Sequence, residues 1–119
     1  MKVIVNITSN FKKEAKPLLK KHASLKTDLA GLEKDLLQNP RQGTPLGNNA
    51  YKIRLKISSK GKGKSGGARV ISYLETEFVS IIEHVDSVII VNLLSIYDKS
   101  ETETITDKEL KTLISNVHS

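Results

Sequence analysis

Lys52, Arg54 and Lys56 alternate with Ile53, Leu55 and Ile57 in the run YKIRLKI, and Arg69 follows a Gly/Lys-rich stretch. If the run is a strand with its apolar face on a core, pleating sends the three cations out from the opposite face, about 7 Å apart. Crowded like charge of this kind suits a polyanion whose phosphates neutralise it. The surroundings sharpen the point. Between Leu36 and Leu74 stand eight of the 19 basic side chains and none of the 13 acidic ones, in a chain of net charge +6. This is the footprint of a nucleic-acid partner, although an acidic protein or a membrane surface would also match it. A merely solubilising face usually mixes both signs.

Other chemistries are poorly supplied. The 119 residues suit one domain with one core, spanning 1–119. There is no cysteine, so neither a disulfide framework nor a thiolate metal site can form. The histidines His22, His84 and His118 lie far apart and match no zinc spacing, so no metal and no cofactor is expected. GKGKSGG contains Gly-Lys-Ser, but the first glycine of a phosphate-binding P-loop is replaced by Ser58 and the β-rich ARVISY follows instead of a helix. No apolar run reaches the roughly 20 residues that cross a bilayer, and MKVIVNITSNFKKEAK lacks the cleavage site of a secretory signal. A cytoplasmic location is the simplest expectation.

The elements that must position the cations follow from periodicity. VIVNIT (3–8) is β-branched and alternating, a strand. Phe11, Ala15, Leu18 and His22 form a helical stripe, with Pro17 predicting a kink or a late start. Ser24 is placed to cap a second helix with the seam Leu25, Leu29, Leu32 and Leu36, which NPRQG ends because Pro40 disfavours helical geometry at Asn39. QGTPLGNNA reads as a turn-rich connection, YKIRLKI as a strand, and ARVISYLETEFVSIIEHV as one long or two broken strands. SVIIVNLLSIY (87–97) is apolar on both faces, as a central strand should be. Thr106 and Glu109 form a capping box that starts a last helix, with Leu110, Leu113, Ile114 and Val117 available for docking. The expected order is β-α-α-β-β-β-α: an α+β fold with an N-terminal helical hairpin on a small, mostly antiparallel twisted sheet.

That order, with NPR ending the hairpin and YKIRL opening the next strand, resembles the RelE/ParE superfamily of bacterial toxins. GGARVISY and LLSIYDKSETETITDKELKTLI are most similar to its HigB-type branch. The resemblance covers nearly the whole chain. It implies the toxin half of a type II toxin–antitoxin pair, with a helix-turn-helix antitoxin as cognate partner. Many such toxins cut messenger RNA in the ribosomal A site and so inhibit translation, whereas the ParE branch acts on DNA gyrase. In the ribonuclease members, basic side chains on the sheet serve where other nucleases use histidines.

Carried over by position, the basic pair after Tyr51 falls on Lys52 and Arg54, and the arginine that opens the next strand on Arg69. A basic or aromatic residue after the central strand corresponds to Tyr97 or Lys99. Metal-independent cleavage uses the ribose 2′-hydroxyl as nucleophile, and it needs a base, cations for the developing phosphorane charge and an acid for the leaving oxygen. Crowding by like charge favours loss of a proton from a lysine, which suits Lys52, with Lys56 in reserve, to the role of base. Arg54 and Arg69 stay protonated and are cast as phosphate holders, and Tyr97 as a surface on which a base stacks. Lys56, Lys60, Lys62 and Lys64 are expected to track the RNA backbone. Each has a plainer reading: solvated strand charges, a tyrosine plugging the end of a core strand, and Lys99 paired with Asp98 or Glu101. His118 reads as a frayed tail and His22 as a packing residue. Because the basic segment offers no His or Glu for acid–base work, binding without catalysis stays open, whether to gyrase, to nucleic acid or to an acidic antitoxin.

Overall fold

The computed structural model describes residues 2–61, 63, 66–81, 84–100 and 104–118, and the side chains of these except 78–81 and 84–86. β1 (Lys2–Ile7) leads through Thr8 into α1 (Ser9–Lys21) and α2 (Leu25–Gln38). β2 (Thr44–Gly47), β3 (Ala50–Leu55), a 3-10 turn (Ser58–Lys60), β4 (Ala68–Ile81), β5 (His84–Asp98) and α3 (Asp107–Ser115) follow. The sheet order is β1-β5-β4-β3-β2, with β1 parallel to β5 and the other neighbours antiparallel. The architecture is α+β, a helical hairpin on a mixed sheet.

The two faces of the sheet carry separate cores. On one, Val70, Leu74, Ile89, Val91 and Ile96 pack with Ile53 and Leu55 against Phe11, Ala15 and Leu18 of α1 and Leu25, Leu32 and Leu36 of α2. On the other, Ala50, Ile71, Leu94 and Tyr97 meet Leu110 of α3, flanked by Leu113, Ile114 and Val117. Leu94 reaches this second face through a bulge: Ile71 pairs with Ser95 but Ser72 with Leu93, so Leu94 is one residue extra. Beyond Leu93 the strand has no β1 neighbour, and the start of α1 covers the edge. Thr8 Oγ1 donates to the Leu93 carbonyl (2.8 Å), and Asn10 Nδ2 donates to the Leu94 carbonyl (2.8 Å).

Several sequence expectations are corrected. α1 begins eight residues before Pro17 and runs past it, because the Thr8 hydroxyl caps the Phe11 N–H and the stripe of Phe11, Ala15 and Leu18 is buried; the late start is not observed. Ser24 occupies the cap position of α2, but its hydroxyl donates to Asp28 Oδ2 (2.7 Å) instead of capping. The connection QGTPLGNNA contains the strand β2. Asn48 and Asn49, both at positive φ, make the two-residue turn that folds it back onto β3. The capping box is present, with Thr106 Oγ1 accepting from the Glu109 N–H. No helix among the described residues is long and apolar enough to cross a membrane.

Candidate functional site

β3 alternates as its sequence requires. Ile53 and Leu55 are buried on the hairpin side, so Lys52 and Arg54 share the other face with Ala50. Register then joins the cations across strands. Lys52 stands opposite Ile71 and Ser95, and the next rung is Arg54–Arg69–Tyr97. One step further, Gly67 lies between the positions of Lys56 and Lys99, its carbonyl accepting from the Lys99 N–H (3.0 Å). Six of the nine sequence-selected residues thus fall on two adjacent rungs or beside them, and Arg69 is the centre.

The face is less open than the alternation implies. α3 roofs its Ala50–Ile71–Leu94 region, and Arg69 is only 5% exposed, with its guanidinium donating to the Ala68 carbonyl (3.1 Å). Arg54 is exposed and Lys52 half-buried, so the accessible charge lies on β3 at the margin of the roof. Lys56 is exposed too, and its charge adds to the Ser58 and Ser24 hydrogen bonds that outweigh burial and hold Asp28 below the usual carboxylate range. Tyr97 is 8% exposed, and burial pushes its hydroxyl pKa up. Its amphipathic-plug reading fits that burial.

Lys60 goes elsewhere. Its ammonium meets both oxygens of Asp98, at 3.0 and 3.2 Å, on the hairpin side of the sheet, where His22 Nε2 also lies 3.3 Å from Oδ2. Burial alone would raise the Asp98 pKa. The Ser100 backbone N–H and hydroxyl and the Lys60 ammonium overcome it and hold the carboxyl far below the usual range. The sequence offered no sign of this cluster, since its members are remote in the chain. Lys62 and Lys64 lie outside the described residues. His118, expected as a frayed tail, is 74% exposed but places Nε2 2.7 Å from Glu75 Oε2. Among the described residues no three His, Asp or Glu converge as metal ligands.

No protein-family model matches the chain. The backbone, however, superposes on a solved structure of the E. coli toxin RelE, a double arginine-to-alanine mutant in the free state, with a TM-score of 0.54. The match spans 98% of this chain and 99% of that one at 16% sequence identity. The fold is RelE-like. At this identity the likeness concerns the path of the chain, and the chemistry rests on the residues this RelE-like sheet displays.

Proposed function

We propose that the chain is a single RelE-like toxin domain, residues 1–119, of the HigB-type branch. In this reading it is the toxin of a type II pair that cuts messenger RNA on the ribosome without a metal. The observation that carries it is the rung Arg54–Arg69–Tyr97 with Lys52 beside it, on a RelE-like sheet. Arg54 grips a phosphate from the solvent side, and Arg69, from within the sheet, adds fixed positive charge behind it. Lys52 is assigned the proton of the 2′-hydroxyl as that oxygen bonds to phosphorus. The bond from phosphorus to the 5′ oxygen then breaks, and that oxygen takes up a proton from water, leaving a 2′,3′-cyclic phosphate and a 5′-hydroxyl. Lys99 and Lys56 flank the rung; Lys62 and Lys64 are kept as RNA-binding residues on their sequence alone. In a cytoplasmic setting the partners are mRNA, the ribosome and a helix-turn-helix antitoxin.

The test is induced expression with primer-extension mapping of messages, comparing wild type with the Lys52→Ala/Arg54→Ala double variant, both checked for melting temperature. New message ends with wild type, lost in the folded double variant, are the expected result. Growth arrest without new ends would move the target to gyrase. No arrest and no new ends would leave a binding protein.

A further inference from the structure

Beside the cationic rungs lies a cavity of ≈ 480 Å³ between α1, β5 and the start of α3. Its lining is chemically unlike the neighbouring strip. Glu14 comes from α1 and Ser95 from β5, Lys108 and Glu109 from α3, and Ile105 and Leu113 supply apolar walls, with Tyr97 shared between cavity and rung. Two carboxylates against one lysine disfavour a phosphate inside. Hydrogen-bond donors are welcome there.

Two polar groups are left with unused capacity. Glu14 Oε1 accepts from the Ser95 hydroxyl (2.7 Å) and from Asn10 Nδ2 (2.7 Å), which fixes the carboxylate, while Oε2 receives no bond among the described residues. Tyr97, more than nine-tenths buried, has no partner of good hydrogen-bond geometry for its hydroxyl, although Thr104 and the Ile105 backbone lie close enough to temper the pKa rise that burial causes. A buried hydroxyl so poorly paired is destabilising, and a ligand atom of better geometry can remove that cost. Meeting it requires the Thr104–Ile105 cover to lift.

Position supplies the rest. Strands lie about 4.8 Å apart, so Tyr97 stands about 10 Å from Arg54 across Arg69. A ligand bridging these features has an anionic end on the arginines and, one nucleotide's length away, a flat neutral end bearing donors. We propose that the cavity receives a nucleobase of the strand whose phosphate lies on Arg54, with Glu14 Oε2 accepting from the base's donor edge and Tyr97 as its floor. This rests on the RNA reading above and names the part of the substrate that the cationic rungs leave unaddressed. Glu14 is a base-binding residue here, held in place by Asn10 and Ser95.

The experiment is an NMR-detected titration of the whole chain with GMP, whose Watson–Crick edge sets two donors beside an acceptor, against ribose 5-phosphate, which lacks a base. GMP should bind at least about tenfold more tightly, as loss of one charge-assisted hydrogen bond implies. Glu14→Gln keeps the Oε1 contacts, so it should bring GMP down to the ribose 5-phosphate level without moving the melting temperature. Tyr97→Phe should weaken GMP alone, and Arg54→Ala should weaken both ligands. Equal binding of the two by wild type, or GMP binding unchanged in Glu14→Gln, would overturn the base pocket while leaving the phosphate strip standing. Binding of neither would overturn both.

Discussion

Arg54 and Arg69 stand directly opposite each other on β3 and β4. Like charges at directly opposed sheet positions are destabilising, and one of these guanidinium groups is buried. A fold selected for stability alone would place Thr or Glu at the exposed partner. In the RNA-cleaving reading proposed above, a phosphate bound at this rung would lower the cost of that pairing.

This gives the first prediction. Arg54→Thr removes the repulsion and suits a strand, so it should raise stability at low salt by about 0.5 kcal/mol, within the range of cross-strand pairs. Added sodium chloride should shrink the gain as the charges are screened. The same variant should lose RNA cleavage. Urea melts at low and high salt, paired with the message-end assay, check both; a destabilised variant would mean that Arg54 is held by attraction.

Gly67 fixes where the rung begins. A Cβ there would sit 2.0 Å from the Leu55 carbonyl oxygen and 3.1 Å from the Ile57 nitrogen, both backbone atoms that cannot swing away. Gly67→Ala should therefore push β4 off β3 and cost about 1–3 kcal/mol, the range for overpacking. Amide exchange should show the loss concentrated at Leu55 and Ala68, next to Arg54 and Arg69. Uniform protection across β3 and β4 would contradict the close approach.

Much of this was legible in the chain. YKIRLKI alternates strictly, so the side of β3 that bears Lys52 and Arg54 could be read before any tertiary contact. The capping box of Thr106 and Glu109 is equally local. β2 was missed because a four-residue segment containing Pro45 carries little β signal, and its only mark is the Asn48–Asn49 turn. The burial of Arg69 was not legible, since it depends on what packs over the sheet, whereas Tyr97 at the end of an apolar strand already read as a plug. Lys60 shows the same limit: its loop reads as solvent-facing, yet its partner Asp98 lies 38 residues away.

The sheet edge carries a polar pair with a testable role. Asn6 Nδ2 donates to Asn92 Oδ1 (2.8 Å), while Asn92 Nδ2 donates to Glu75 Oε1 (2.9 Å) and the Tyr73 carbonyl (3.2 Å). Asn92 is fully buried. Asn6→Ala would leave Oδ1 without its donor and should cost about 1–3 kcal/mol. Because β1 is parallel to β5 and tied only along one side, amide exchange should rise first in β1. A neutral substitution would show that solvent replaces the donor.

Asp98 gives the pH prediction. Its pKa in the fold is depressed, so the unfolded chain binds its proton more readily as pH falls. The stability it contributes is present above the unfolded carboxylate value of about 4 and is lost progressively below it. Asp98→Asn removes the charge at every pH and leaves the Lys60 ammonium, itself largely buried, beside a neutral amide. Breaking a buried pair from one side costs about 3–5 kcal/mol, and Lys60 retains some solvent contact, so a loss near about 3 kcal/mol is expected at pH 7. In the variant, the fall in stability between about pH 4 and 2 should flatten relative to wild type. Lys60→Met in the Asp98→Asn background should recover part of the loss, because the unpaired ammonium is then gone. If Lys60→Met alone instead abolished RNA cleavage without lowering the melting temperature, Lys60 would belong to the substrate track and not to this buried cluster.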